Sequence, residues 1–198
     1  SGTFSSYIGG VNAGSLITLS GLISGSANLN FAVGANGGQG TIILNNNATY
    51  TGSTNMLLNS AAATAGVVRL GVTNALPTGT ALVFGNSSGA SSGVLDLNGK
   101  NQKVASIATA GTGYIGGISN TSATTSTLTI SGSASTNFAP ISGSNTGAAN
   151  IGGGQAGGAV TITLQDNATL SFGPGKNLDL HNLNFTVSQT LADLNIGA

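Results

Sequence analysis

Short runs along the chain alternate apolar and small polar residues at a period of two, the pattern of strands that bury one face. In Ala27-Asn28-Leu29-Asn30-Phe31-Ala32-Val33 the odd positions are predicted to point inward and Asn28 and Asn30 to face water. The same reading buries Ile42 and Leu44, Val68 and Leu70 with Arg69 outside, and Leu82 and Phe84. It then buries Leu95 and Leu97 around an outward Asp96, and Leu128 and Ile130 around Thr129. Val160, Ile162 and Leu164 follow, then Leu170 and Phe172, Leu178 and Leu180, and finally Leu183, Phe185 and Val187. No window carries apolar residues at the helical spacing, and interspersed Gly and β-branched residues oppose helix. Only Gln189 to Leu194 has the makings of a helical turn.

Between these runs lie Gly34 to Gly40, Asn45 to Asn47, Leu76-Pro77-Thr78-Gly79, Asn98-Gly99, Gly111 to Gly113 and Gly152 to Gly158. Gly and Asn tolerate positive φ, so these segments mark changes of chain direction. Strands at short, even intervals fit an antiparallel sandwich or barrel, or a solenoid whose coils stack strand upon strand. Internal repetition favours the solenoid: Gly40-Thr-Ile-Ile-Leu-Asn-Asn-Asn-Ala-Thr49 is echoed by Ala159-Val-Thr-Ile-Thr-Leu-Gln-Asp-Asn-Ala-Thr169.

The succession Gly40-Thr-Ile-Ile-Leu44, Ala48-Thr-Tyr-Thr-Gly52-Ser-Thr54, Val68-Arg-Leu-Gly71, Ala75-Leu-Pro-Thr-Gly79, Val94-Leu-Asp-Leu-Asn-Gly99-Lys-Asn-Gln102-Lys-Val-Ala-Ser-Ile107, Gly111-Thr-Gly113 and Ser126-Thr-Leu-Thr-Ile-Ser-Gly132 resembles the autotransporter-associated β-strand repeat. The match covers about residues 40–132; residues 133–158, rich in Gly and Ser, fit it poorly. The resemblance implies an all-β chain, a right-handed parallel β-helix (β-solenoid) forming one domain over 1–198, exported from a bacterial cell and used as a scaffold. It implies no catalytic residues. The sequence does not run on into an autotransporter's membrane barrel, so self-translocation is not part of the expectation. At roughly 20 to 25 residues per coil, the chain would make about eight to ten coils in a rod about 40 Å long. Stacked turn asparagines would form amide ladders, with Asn45 to Asn47, Asn98, Asn101 and Asn167 as candidates.

Composition sharpens this picture. The 198 residues include 33 Gly but only four Lys plus Arg, four acids, one His and no Cys, for a net charge of zero. Disorder is disfavoured, because it calls for low hydrophobicity and high net charge, and 39% of these residues are hydrophobic. Nucleic acid and anionic membrane surfaces need clustered basic residues that are absent here. Without Cys there is no disulfide, thiol nucleophile or Cys-ligated metal. No apolar run approaches the roughly 18 residues of a membrane-spanning helix.

Candidate chemistry is sparse. The acids are Asp96, Asp166, Asp179 and Asp193, scattered along the chain; Asp96 lies near Lys100 and Lys103, and Asp179 near Lys176 and His181. Polysaccharide cleavage would use paired carboxylates, or calcium with a basic group, and this distribution favours solubilising and turn roles instead. His181 with Asp179 could join a serine triad, but no Gly-x-Ser-x-Gly accompanies them. The run Gly152 to Gly158 lacks the Lys and Ser/Thr of a phosphate loop, and no glycine run contains the Asp of a calcium-binding repeat. Asn-x-Ser/Thr sequons stand at Asn47, Asn86, Asn120, Asn167 and Asn184, and the tyrosines Tyr7, Tyr50 and Tyr114 are too few for a sugar-binding platform. No catalytic, cofactor-binding or metal-ligating residue is assigned.

The expected function is structural: an extracellular or cell-surface stalk, matrix or filament subunit of a bacterial protein. Near-zero charge and ends without a charged amphipathic cap point to partners that are copies of the chain stacked head-to-tail, through the ends or a lent segment such as Thr3 to Ile8, or flanking coils of the same parent chain. An adhesin contacting surface glycan through 133–158 is the alternative. A polysaccharide-degrading enzyme is the third reading, against which the acid count argues.

Overall fold

A computed structural model describes residues 5–9, 14–32, 40–57, 66–85, 93–110, 117–132, 135–137, 151–152, 160–164, 169–172, 183–187 and 194–196, the last five of these segments and 135–137 by their backbone pairing. Every described strand pairs in parallel with a strand of a neighbouring turn, and three sheets result. The first sheet has eight strands, in order β1 (Ser5–Gly9), β3 (Asn28–Ala32), β5 (Thr54–Met56), β7 (Ala81–Phe84), β10 (Ser106–Thr109), β13 (Ser135–Asn137), β16 (Thr169–Phe172) and β18 (Leu194–Ile196). The second has six: β2 (Leu16–Leu19), β4 (Thr41–Leu44), β6 (Gly66–Leu70), β8 (Gly93–Asp96), β11 (Gly117–Ser119) and β14 (Ile151–Gly152). The third has four: β9 (Gln102–Val104), β12 (Ser126–Ile130), β15 (Val160–Leu164) and β17 (Leu183–Val187). This is the β-solenoid that internal repetition favoured and the resemblance implied, and no described residue is helical. Leu194, placed at the end of a helical turn by sequence, begins β18 instead, and Gln189 lies outside the described residues.

Parallel pairing without a slip in register stacks like positions into columns. Phe31, Met56 and Phe84 lie one above another in the interior, as do Ile42, Val68, Leu95 and Ile118. Each is essentially closed to water, because the turn above and the turn below cover it. The inward readings of Leu29, Leu44, Leu70, Leu82, Leu97, Leu128 and Ile130 hold in the same way. Leu178 and Leu180 lie outside the described residues.

A turn is longer than the 20 to 25 residues expected from sequence in much of the chain. Asn28 bonds to Ser53, 25 residues on, whereas Asn74 bonds to Lys103, 29 residues on. The extra length goes into the corners and into a third face that the early turns cross without a described strand. That face is nonetheless stitched axially: Thr49 donates its N–H to the Ile23 carbonyl, Ala48 to Ala75, and Asn74 to Asn101. Residues Leu97 to Lys100 turn from the second sheet towards the third, with Asn98 and Gly99 at φ of 48° and 72° and Lys100 N–H on the Leu97 carbonyl at 2.8 Å. Consecutive positive φ values suit an Asn-Gly pair and few others.

Within residues 133–158, read as a Gly/Ser-rich loop region, Ser135–Asn137 and Ile151–Gly152 are strands of the first and second sheets; most of the remainder lies outside the described residues.

Candidate functional site

Sequence reading places Asp96 outward in a solubilising or turn role; the structure keeps it on the outer face but buries it, which removes the solubilising role. Asp96 ends β8 on the outer face of the second sheet, in register with Arg69 one turn before and Ser119 one turn after. Its side chain is nevertheless only 1% exposed. Oδ2 accepts from Arg69 Nε at 2.7 Å and Thr121 Oγ1 at 2.6 Å, and Oδ1 accepts the N–H groups of Asn98 and Thr121 at 3.0 Å each. Four donors from three successive turns therefore converge on one carboxylate. A buried charge needs such partners, and the arrangement leaves neither oxygen open to a substrate or an ion. Chemically the cluster is a clasp: it joins the turn of Arg69 to that of Thr121 through the turn between.

Asn30 is the second correction. It occupies an outward position but is only 3% exposed, because its register neighbours Tyr7 and Asn55 stand about 4.8 Å away on either side. Asn55 Nδ2 donates to Asn30 Oδ1 at 2.6 Å, so the amide ladder sits on the strands of the first sheet. Of the turn asparagines expected to form ladders, Asn46, Asn47, Asn98 and Asn101 bond main chain instead. Asn46 and Asn98 donate to the carbonyls of Ser20 and Leu70 one turn back, and Asn47 to those of Thr73 and Asn74 one turn on. Asn101 accepts the N–H of Thr127. Corners leave backbone groups without a ladder partner, and a short amide side chain satisfies them. Asn167 lies outside the described residues.

Two interior polar groupings escaped sequence reading. Tyr50, Thr54 and Thr80 are buried together: Tyr50 Oη bonds Thr54 Oγ1, Thr54 Oγ1 lies 2.8 Å from Thr80 Oγ1, and Thr80 Oγ1 donates to the Gly52 carbonyl at 3.0 Å. Burial pushes the Tyr50 phenol up to about 12, opposed in part by the Thr54 and Thr80 bonds. The Tyr50-Thr51-Gly52 stretch of the repeat-like motif is thus a packing device, and Gly52 is required in it, since a Cβ there would strike the carbonyl of Ala27. Gln102, 1% exposed, accepts from Leu76 N at 3.1 Å and donates to Leu76 O at 3.0 Å. Its amide replaces the backbone bridge that the third face lacks at that level. Both groupings join residues far apart in sequence, Gln102 and Leu76 by 26 positions, a separation invisible to a period-two reading.

Of the remaining candidates, Lys100 and Lys103 are half-buried and make no salt bridge with Asp96, whose carboxylate is paired with Arg69. Asn47 spends its amide on the Thr73 and Asn74 carbonyls, and Asn120 is buried with Oδ1 accepting from Gly99 N and Nδ2 donating to Thr124 O. Asn184 lies within β17. Asp166, Lys176, Asp179, His181, Asp193, Asn86, Tyr114, Thr3 and residues 153–158 of the glycine run lie outside the described residues.

Among the described residues, the exposed large hydrophobics are Tyr7, Leu16 and Leu22, at 68%, 61% and 61%, and all three belong to the first turn. Compared with known proteins, the chain matches no family model, no curated sequence and no solved structure. What fold and site together define is a parallel β-solenoid whose polar side chains are spent on holding successive turns together.

Proposed function

We propose that the chain is a structural element of a bacterial cell-surface or extracellular protein of the autotransporter-associated repeat type, serving as a stalk, matrix or filament subunit. The observation that carries this reading is the first sheet, which runs through eight parallel strands with no charged residue in any of them. A column built this way resists axial extension through its backbone ladder and offers few groups for chemistry. The polar side chains best placed for a reaction, Asp96, Gln102 and Tyr50, are engaged in holding turns together. The chain has no catalytic role in this reading. Its partners are copies of itself joined head-to-tail, or flanking coils of the same parent chain.

Small-angle scattering of the purified chain, together with antibody labelling of intact cells that make the parent protein, tests the proposal. A rod-like scattering profile and label at the cell exterior are expected. A globular particle, or label confined to the cytoplasm, would overturn it.

A further inference from the structure

The corner between the second and third sheets carries Asn98-Gly99, one of two Asn-Gly pairs in the chain; the other, Asn36-Gly37, lies outside the described residues. Such a pair is prone to react with itself, because glycine has no side chain to shield its backbone nitrogen. In that reaction the Gly99 nitrogen bonds to Cγ of Asn98, the side-chain amide leaves as ammonia with the Gly99 proton, and a cyclic succinimide closes. Water then opens either carbonyl of the ring, leaving aspartate or isoaspartate at position 98. Water enters, ammonia departs, and no oxidant or reductant is needed.

The fold cannot dispense with the reactive pair. Asn98 and Gly99 have φ of 48° and 72°, and a Cβ on Gly99 would lie 2.7 Å from Ser122 Oγ. Glycine is required at the corner, and the reactivity comes with it. The two reacting groups are instead held by partners in different turns. Asn98 Nδ2 donates to the Leu70 carbonyl of the turn before, at 3.0 Å. Gly99 N–H donates to Asn120 Oδ1 of the turn after, at 2.8 Å. Asn120 is fully buried, and its Nδ2 is fixed by the Thr124 carbonyl at 2.7 Å, so its oxygen is the atom presented to Gly99. Asn98 and Gly99 themselves are half-buried, within reach of the water that the second step consumes.

We propose that Asn98 is a site of self-modification closed by stacking: it converts to aspartate or isoaspartate when the turn carrying Asn120 lifts away and releases the Gly99 N–H. Asn120 is the positioning residue that guards the corner. The change runs one way. Asn98 N–H bonds Asp96 Oδ1 at 3.0 Å, so a carboxylate at position 98 stands beside a buried one, and like charges there oppose each other. Isoaspartate also adds a methylene to the main chain of a tight corner. A turn that opens long enough to react does not reclose as before.

Peptide mapping by mass spectrometry at mildly alkaline pH, with the 98–99 peptide resolved from the 36–37 peptide, reads the reaction directly. The folded chain is expected to convert at Asn98 at least about tenfold more slowly than the same chain in denaturant. Asn120→Ala, checked as folded by its thermal melt, is expected to recover at least about a third of the denatured rate. Ile42→Val, which trims a sealed residue two turns away, should stay within about threefold of the parent. If Asn120→Ala does not fold, the parent carries the test: in urea below the unfolding transition, the rate at Asn98 is expected to rise in proportion to hydrogen exchange at the Gly99 amide. Equal rates in the folded and denatured parent, an Asn120→Ala rate no higher than the parent's, or an equal acceleration by Ile42→Val would each overturn the proposal. So would a rate at Asn98 that does not follow Gly99 exchange.

Discussion

The first turn and the turns around Arg69 to Thr121 are built from the same alternating strands, yet they differ in every measure of closure. In the middle turns Val68, Leu95 and Ile118 are sealed, and between them the chain adds the Asp96 clasp and the Gln102 bridge. In the first turn the equivalent Ile17 is partly buried, and Tyr7, Leu16 and Leu22 face water. Local sequence does not cause the difference, since Leu-Ile-Thr-Leu in β2 is as good a strand as Gly-Val-Val-Arg-Leu in β6. A turn is completed by its neighbours on both sides, and the first described turn has one.

Cutting the core tests this contrast most severely. Phe84→Ala is expected to cost about 3–5 kcal/mol of unfolding free energy, as truncation of a sealed aromatic does, while Ile8→Ala in the same set of columns should cost under about 2 kcal/mol. Equal losses in denaturant titrations would mean that the first turn is as closed as the fourth. Next comes the clasp. Asp96→Ala leaves two buried N–H groups and a guanidinium without their acceptor and should cost about 3 kcal/mol. Arg69→Ala, whose side chain is 34% exposed, should cost about 1 kcal/mol, and a double-mutant cycle should give less than the sum.

A comparable effect is expected from alkali. The Tyr50 phenol titrates at about 12 in the fold against 10.0 in an exposed tyrosine, so the fold favours the neutral form. That contribution is complete below pH 10 and is lost as pH climbs through 12, amounting to about 2–3 kcal/mol. Tyr50→Phe should remove this part of the alkaline loss when its stability profile is compared with that of the parent. The smallest change runs the other way. Ser126 Oγ is buried in β12 with no hydrogen-bond partner among the described residues, and Ser126→Ala should stabilise the chain by up to about 1 kcal/mol in thermal melts.

The period-two pattern made the strands and their inward residues legible, because each inward choice depends only on neighbours along the chain: Ile42 and Leu44, Leu82 and Phe84, Leu128 and Ile130 all lie where alternation puts them. Asp96 and Asn30 were misread for the complementary reason. Alternation correctly assigns them to the outer face, but their burial comes from Arg69, Thr121 and Asn55, which arrive a full turn away. Gln102 and the Tyr50–Thr54–Thr80 grouping were missed likewise, since nothing in the local pattern distinguishes an inward polar residue that has a partner from an outward one.

Distances along one column test the stacking itself. Tyr7, Val83, Ala108, Asn137 and Ser171 occupy one register column of the first sheet, separated from Tyr7 by three, four, five and six turns. Spin labels on cysteines at position 7 and at each of the others, diluted with unlabelled chain, should give separations of about 14, 19, 24 and 29 Å, rising by one strand spacing per turn. Separations that level off or reverse along that series would mean that the chain folds back on itself, and would contradict a column of parallel turns.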